Sequence, residues 1–287
     1  MSTTHCALPQ EITDYFLDYL HDNRETLRNC VLVSQSWAES ARYHIYHDFV
    51  VHATKHEDGI DEFVDFLQAH PSVHRHIRNL KIAAPSYGFE SAVSVDGIKS
   101  VLVYLDDLRT LSLEGLSFFE RAPNVTVETT TPNLKHSHAQ FKLRRLTLTR
   151  IFWPHPLRPS ILGVLDLFSQ IDELRLSRFE YSTMINAHLP ESGNSPSLRA
   201  KSLNLEFPFF DLGLPVVKAL LHVLHFPSLE SLTVACFAMS QASTAGRLIS
   251  KVGGHLRHFT LDLRTLFSAG PYGTYSISPT KKSDIPI

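Results

Sequence analysis

Cysteine is scarce in this chain. Among 287 residues only Cys6, Cys30 and Cys236 occur, an odd number with unmatched spacing. That argues against a disulfide scaffold and suits a reducing compartment. Long apolar runs are lacking too. The longest stretch, around Val216 to Leu224, is interrupted by Lys218 and His222, whereas a bilayer requires roughly 20 predominantly apolar residues. No basic segment followed by an apolar one opens the chain, so no secretory leader is expected. A cytoplasmic or nuclear protein is the expectation.

A dominant sign of charge is missing as well. Lys and Arg number 27 against 29 Asp and Glu, so nothing steers the whole molecule toward nucleic acid or acidic lipid, and neither is expected as a partner. The balance is uneven along the chain: residues 1–50 hold three Lys/Arg against seven Asp/Glu. The chemistry-bearing motifs are also absent. There is no glycine-rich phosphate cradle, no Gly-x-Ser-x-Gly elbow, no Cys-x-x-Cys and no His-Glu-x-x-His. The 17 histidines fall in scattered groups, His70, His74 and His76, His52 and His56, His136 and His138, His222 and His225. Zinc requires three or four converging ligands, so these are expected to be surface histidines and no metal or cofactor is expected. Cys30 lies in an apolar helical pattern and reads as core, not as a nucleophile. A non-enzyme is the expectation.

What is present begins in the first fifty residues. Pro9 suits a helix start, and Ile12, Phe16, Tyr19 and Leu20 follow at helical spacing while Glu11, Asp14 and Asp18 fall on other faces. Asp22 and Glu25 look like a capping box ahead of Leu27, Cys30 and Val31. Ser34 can cap a third helix carrying Trp37, Ala38, Ala41 and Ile45. Roughly forty residues cannot bury so much apolar surface alone, so a covering partner, or the domain that follows, is implied.

Leu8-Pro9-Gln10-Glu11-Ile12, then Phe16 and Leu20, then Cys30-Val31-Leu32-Val33 and Trp37, resemble the F-box over about Leu8 to Phe49. The F-box is the segment by which substrate receptors dock onto the Skp-family adaptor, and through it the cullin scaffold, of a ubiquitin ligase. The resemblance implies adaptor contacts through Leu8, Pro9, Ile12, Phe16, Leu20 and Val33, and a core role for Trp37. Ser34 stands where many members have cysteine.

From residue 59 onward a phrase apolar-x-x-apolar-x-apolar recurs: Ile77-Leu80-Ile82, Leu108-Leu111-Leu113, Leu143-Leu146-Leu148, Ile171-Leu174-Leu176, Ala200-Leu203-Leu205, Leu229-Leu232-Val234 and Leu256-Phe259-Leu261. The central positions lie 31, 35, 28, 29, 29 and 27 residues apart, at and above the leucine-rich-repeat range. The interleaved residues include no large apolar side chain, so each phrase predicts a strand with one face in the core and one in water. Helical stripes separate the strands at Gly59 to His70, Asp96 to Leu105, Pro159 to Gln170, Pro215 to His225 and Thr244 to Val252. The fold class is therefore α/β: an N-terminal three-helix unit (1–50), then strands and outer helices forming a curved parallel sheet (51–267), then an unstructured tail (268–287).

This second region resembles the irregular leucine-rich repeats that often follow an F-box, a combination numerous in fungi. It departs from the regular pattern where an asparagine ladder would bind the turns, for Pro85, Leu116, Ile151, Phe179, Pro208, Phe237 and Arg264 stand there. An apolar spine led by Phe179 and Phe237 would replace it, and an ordinary α/β sheet of similar order is the alternative. Segments Ser117 to Gln140 and Asn186 to Ser197 read as long irregular loops, either functional or merely mobile. No closing cap with a polar outer face follows the last phrase, so either the tail folds over the last strand or the chain is short for its family.

The basic cluster Lys142, Arg144, Arg145 and Arg150, with Lys135 upstream, is the one local charge feature. Arg145 and Arg175 could read an acidic or phosphorylated partner, or form a solvated face balanced by Glu173. The whole reading is a substrate-recognition subunit that binds target protein through a polar column including Lys81, Arg145, Arg175, Asn204 and His258. A plain repeat scaffold acting without a ligase is the alternative.

Overall fold

The computed structural model of the chain describes residues 8–54, 58–85, 91–119, 141–153, 160–181, 198–206, 217, 220–221, 223–236 and 239–262. The expectations for Asn186 to Ser197, for most of Ser117 to Gln140 and for 268–287 lie outside the described residues.

Three helices open the chain: α1 (Gln10–Tyr19), α2 (Arg24–Cys30) and α3 (Gln35–His47). Their boundaries follow from local chemistry. Pro9 is the cap of α1, one place before the expected first helical position, and its carbonyl accepts the N–H groups of Ile12 at 3.1 Å and Thr13 at 3.2 Å. The second cap is Asn23, whose side-chain oxygen accepts from the Thr26 N–H at 3.0 Å. This corrects the Asp22 box: Asn23 sits one residue nearer the helix, and its short amide reaches the third N–H directly. Ser34 caps α3 as expected, accepting from Trp37 N–H at 3.3 Å. Leu17, Leu27, Cys30 and Ala41 form a small core of their own, with Leu20, Val31, Trp37 and Ile45 packed against it.

The chain leaves α3 directly into β1 (Asp48–His52). No strand is expected there from the repeat phrase, because Val50 interrupts the polar alternation. It forms because β1 lies in parallel register on β2 (Asn79–Ala83), with Phe49 beside Leu80 and Val51 beside Ile82. The strand also spans residue 50, where the helical unit is expected to end.

Each of the seven phrases forms a strand. They are β2, β4 (Thr110–Glu114), β6 (Phe141–Thr149), β8 (Phe168–Ser177), β10 (Arg199–Glu206), β11 (Ser231–Ala235) and β12 (His258–Asp262). With β1 they make an eight-stranded sheet in chain order, parallel at every pairing. The register aligns like with like: Leu80, Leu111, Leu146, Leu174, Leu203, Leu232 and Phe259 lie in one row. Ile82, Leu113, Leu148, Leu176, Leu205, Val234 and Leu261 form the next.

Three of the phrases share a backbone pattern in their two-residue gap. The N–H groups of Arg109 and Thr110 both reach the Arg78 carbonyl, those of Arg144 and Arg145 the Arg109 carbonyl, and those of Arg257 and His258 the Glu230 carbonyl, at 2.8–3.0 Å. One carbonyl here takes two N–H groups, while the pairing itself runs one residue to one, with Leu143 beside Ile171 and Leu146 beside Leu174. Arg144 and Arg145, between the buried Leu143 and Leu146, both stay out of the core.

Helices α4 (Asp58–Ala69), α6 (Val95–Tyr104), α7 (Ser160–Asp166) and α8 (Met239–Val252), with the short α5 (Pro71–His74), connect the strands. Ile60, Phe63, Leu67, Ile98, Val101, Leu102, Val164, Leu165 and Leu248 share one continuous core with the strand rows. Phe168, expected at the end of a helix, instead opens β8 and is fully buried. Of the Pro215 to His225 helix only part is described; Val217, Leu220 and Val223 are buried.

A second parallel sheet, β3 (Ser91–Ser94), β5 (Leu116–Phe119), β7 (Phe152–Trp153) and β9 (Glu180–Tyr181), is not legible in the phrase. It replaces the expected loop at Ser117–Phe119. Three of its approaches turn through left-handed backbone, at Gly115 (φ 69°), Arg150 (φ 52°) and Arg178 (φ 53°). The strand-end ladder is backbone: Ala84 N–H to Glu114 O, Gly115 to Thr149 and Arg150 to Ser177, at 2.9, 2.9 and 3.1 Å. Beside it Leu116, Ile151 and Phe179 are buried as the expected apolar spine requires, while Pro85 is exposed. Pro208, Phe237 and Arg264 lie outside the described residues.

Candidate interaction surfaces

Helix α1 has an inverted pattern. Thr13 and Leu17 are its buried residues, and its polar side chains lead toward α3. Asp14 accepts from Ser40 Oγ at 2.6 Å and from Gln10 Nε2 at 2.8 Å, and Asp18 meets His44 Nε2 at 3.1 Å. Ile12, Tyr15, Phe16 and Tyr19 are left in water, with exposures from 44% at Ile12 to 84% at Tyr19. A surface helix normally turns its apolar stripe inward. Leu8, before the helix, and Leu32 and Val33, in the turn between α2 and α3, are exposed as well.

Five of the six expected adaptor contacts, Leu8, Pro9, Ile12, Phe16 and Val33, are therefore on the surface. Leu20 is not free in the same way: it is half-buried against the bundle core. The spacing missed Tyr15 and Leu32, whose apolar character was visible but whose orientation was not. The sheet does not cover this face. The junction runs through α3 and β1, with Arg75 on Glu39 at 2.8 Å and Arg24 Nη2 donating to the Asp48 carbonyl at 3.2 Å.

The outward face of the large sheet is polar. In register, Lys81, Ser112, Thr147, Arg175, Asn204, Thr233 and Thr260 form one column, and Asn79, Thr110, Arg145, Glu173, Ser202, Ser231 and His258 its neighbour. The five expected target contacts thus lie on one face but in two columns. Their cations are already engaged. Arg145 Nε lies 2.6 Å from Glu173, and Arg175 bonds the other oxygen of the same carboxylate. Burial works against the charged form of Glu173, but the hydrogen bonds from Arg145 and Arg175 outweigh it and hold the carboxyl below its usual range. Lys81 and Arg150 share Glu114, each at 2.5 Å. The hydrogen bond from Lys81, against burial and aided by Arg150, holds that carboxyl low.

Of the histidine groups, His56, His136, His138 and His222 lie outside the described residues. His70 and His74 bond the Phe66 and Leu67 carbonyls at 3.0 and 2.5 Å, at the end of α4, and His76 is buried, not on the surface as expected. Among the described residues no three His, Cys, Asp or Glu side chains gather as a metal site would require. Also among the described residues, no helix is long and apolar enough to cross a membrane.

The architecture is thus mixed α/β with parallel sheets. In sequence the chain is similar to the F-box protein COS111 of Kluyveromyces lactis, at 33% identity over 83 residues, which is 29% of this chain. The matched stretch is 11% of that protein's length. No family model matches the chain, and no solved structure matches it.

Proposed function

We propose that the chain is a non-catalytic substrate receptor of a Skp–cullin–F-box ubiquitin ligase, acting in the cytoplasm or nucleus. The observation that carries this reading is the outward apolar stripe of α1, Ile12, Phe16 and Tyr19, on a bundle whose own hydrophobic cluster is built, among the described residues, on four buried side chains. Such a surface is stabilised by a partner that covers it. The resemblance of residues 8–49 to the F-box and the similarity to a named F-box protein support a Skp-family adaptor as that partner. The adaptor would meet Leu8, Pro9, Ile12, Phe16 and Val33, with Leu20 supporting from beneath.

The strands and outer helices act as irregular leucine-rich repeats. They hold a target protein against the polar sheet face, through residues including Lys81, Arg145, Arg175, Asn204 and His258. Their contribution to the reaction is proximity, raising the effective concentration of a target lysine near the ubiquitin carrier. Capture of purified adaptor by the intact chain, and at least tenfold weaker capture by an Ile12→Ala, Phe16→Ala double variant, is the expected result, since truncating central anchors costs ~2 kcal/mol or more. No capture by the intact chain, or equal capture by both, removes the docking reading and leaves a scaffold that works without a ligase.

A further inference from the structure

The residue just before each member of the Asn79 to His258 column forms a rim to the outward columns of the large sheet. In register that rim reads Arg78, Arg109, Arg144, Asp172, Lys201, Glu230, Arg257. Its two halves differ. From Asp172 onward the signs alternate and neighbours pair, Lys201 with Asp172 at 2.7 Å and Arg257 with Glu230 at 3.8 Å. Before it, three arginines follow one another on adjacent strands, which lie roughly 4.8 Å apart. Arg78 is held by Asp107 at 2.8 Å. Arg109 and Arg144 are exposed and their side chains have no hydrogen-bond or ion-pair partner among the described residues, and the same is true of the side chain of Lys142, two residues from Arg144.

The excess continues onto the neighbouring face. There each of two carboxylates serves two cations: Glu114 takes Lys81 and Arg150, and Glu173 takes Arg145 and Arg175. Like charges held side by side by a backbone ladder repel, and an anionic partner relieves that repulsion. Guanidinium groups take carboxylates in bidentate fashion. Nucleic acid is a poorer match. The chain as a whole is slightly acidic, and the two outward columns carry no aromatic side chain from β2 to β12 except the imidazole of His258. Stacking on aromatic rings is what single strands use.

We infer that the Arg109–Arg144 rim, with Lys142, docks an acidic segment of a partner protein whose carboxylates are taken by the two guanidinium groups. The inference rests on the sheet being a partner-binding face and not on the ligase reading.

The probe is a fluorescein-labelled peptide alternating Glu and Gly, titrated with the full chain and read by fluorescence anisotropy. Comparison ligands are a Gly-Ser peptide of equal length, the same peptide with phosphoserine in place of Glu, and a single-stranded oligonucleotide of equal charge. Binding of the Glu peptide in about 50 mM NaCl is expected, weakening as salt rises. Arg109→Gln with Arg144→Gln weakens it about tenfold or more, while Arg257→Gln at the paired end of the rim leaves it unchanged. Glu173→Gln tightens it by releasing Arg145 and Arg175, a gain that a merely structural role would not produce. Thermal melts establish that each variant is folded. Absence of binding, equal binding by the Arg109/Arg144 variant, no gain in the Glu173 variant, or preference for the Gly-Ser peptide, phosphopeptide or oligonucleotide overturns the inference. Adaptor capture by the same variants is expected to be intact, so loss of capture alone counts against the ligase reading only.

Discussion

Ser40 Oγ donates to Asp14 Oδ1 at 2.6 Å, tying the middle of α3 to α1. The same oxygen accepts from Gln10 Nε2 at 2.8 Å, so one carboxylate helps orient the whole of α1. Because this polar edge faces α3, the apolar stripe faces away. Asp14→Ala is expected to cost about 1–2 kcal/mol, and Ser40→Ala about 1 kcal/mol, with a non-additive double variant. Urea denaturation followed by circular dichroism measures both.

Orientation of α1 separates stability from docking. Ile12→Ala and Phe16→Ala remove exposed side chains and are expected to shift stability by no more than ~0.5 kcal/mol. Leu17→Ala, one position from Phe16, opens a cavity in the small core and is expected to cost about 2–5 kcal/mol. Comparable unfolding midpoints for all three would show that the two faces of α1 had been assigned wrongly.

Glu173 sets a pH dependence with a definite sign. Its carboxyl is held below the ordinary value of 4.5, so the unfolded chain takes up its proton first as acid is added. The stabilisation is complete above pH 4.5 and is lost as pH falls through the lower, folded-state value. The ion pairs are part-exposed, so the size is modest, about 0.5–1 kcal/mol. Glu173→Gln is expected to flatten the stability curve in that acid window and to leave its slope near neutrality unchanged.

His76 acts in a different window. It is buried, and burial first, then the neighbouring Arg75 charge, pushes its pKa below the ordinary 6.5. The unfolded state therefore binds the proton more readily. Stability is expected to fall as pH drops from 6.5 toward the folded-state value, and to level off below it. Replacing His76 by Phe removes this slope, which thermal melts between neutral and mildly acid pH would register.

Gly115 sits at φ 69°, and a Cβ added there would meet Ala84 Cβ at 3.2 Å. Gly115→Val is expected to destabilise the β4–β5 corner by about 1–3 kcal/mol. Arg150 and Arg178 adopt similar backbone at the equivalent corners without glycine, and Arg150 is held there in part by Glu114.

The strand phrases were legible because alternation is a property of the extended chain itself: successive side chains point to opposite faces wherever a strand forms. Seven strands could be read in this way, the caps at Pro9 and Ser34 from residue type and helical spacing, and the packing of Trp37 on the bundle core from the resemblance to the F-box. The second sheet could not, since Glu180–Tyr181 and Phe152–Trp153 are two-residue strands, too short for any period to register. β1 was hidden for another reason: Val50 breaks the alternation, and only pairing with β2 makes that segment extended.

The sequence by itself determined that α1 is a helix with much apolar surface, and that cations and carboxylates crowd the middle strands. It could not determine which stripe of α1 faces inward, because Ile12, Phe16 and Tyr19 compete with Leu17 and Leu20 as an apolar face. Packing against α3 decided it, through Asp14 and Asp18 on one side and the bundle core on the other. Nor could it determine which arginines are free. Parallel register places Arg145 and Arg175 on Glu173 and leaves Arg109 and Arg144 side by side at the rim. Residues 28 to 35 positions apart become neighbours only when the strands stack, and with that stacking their charges meet.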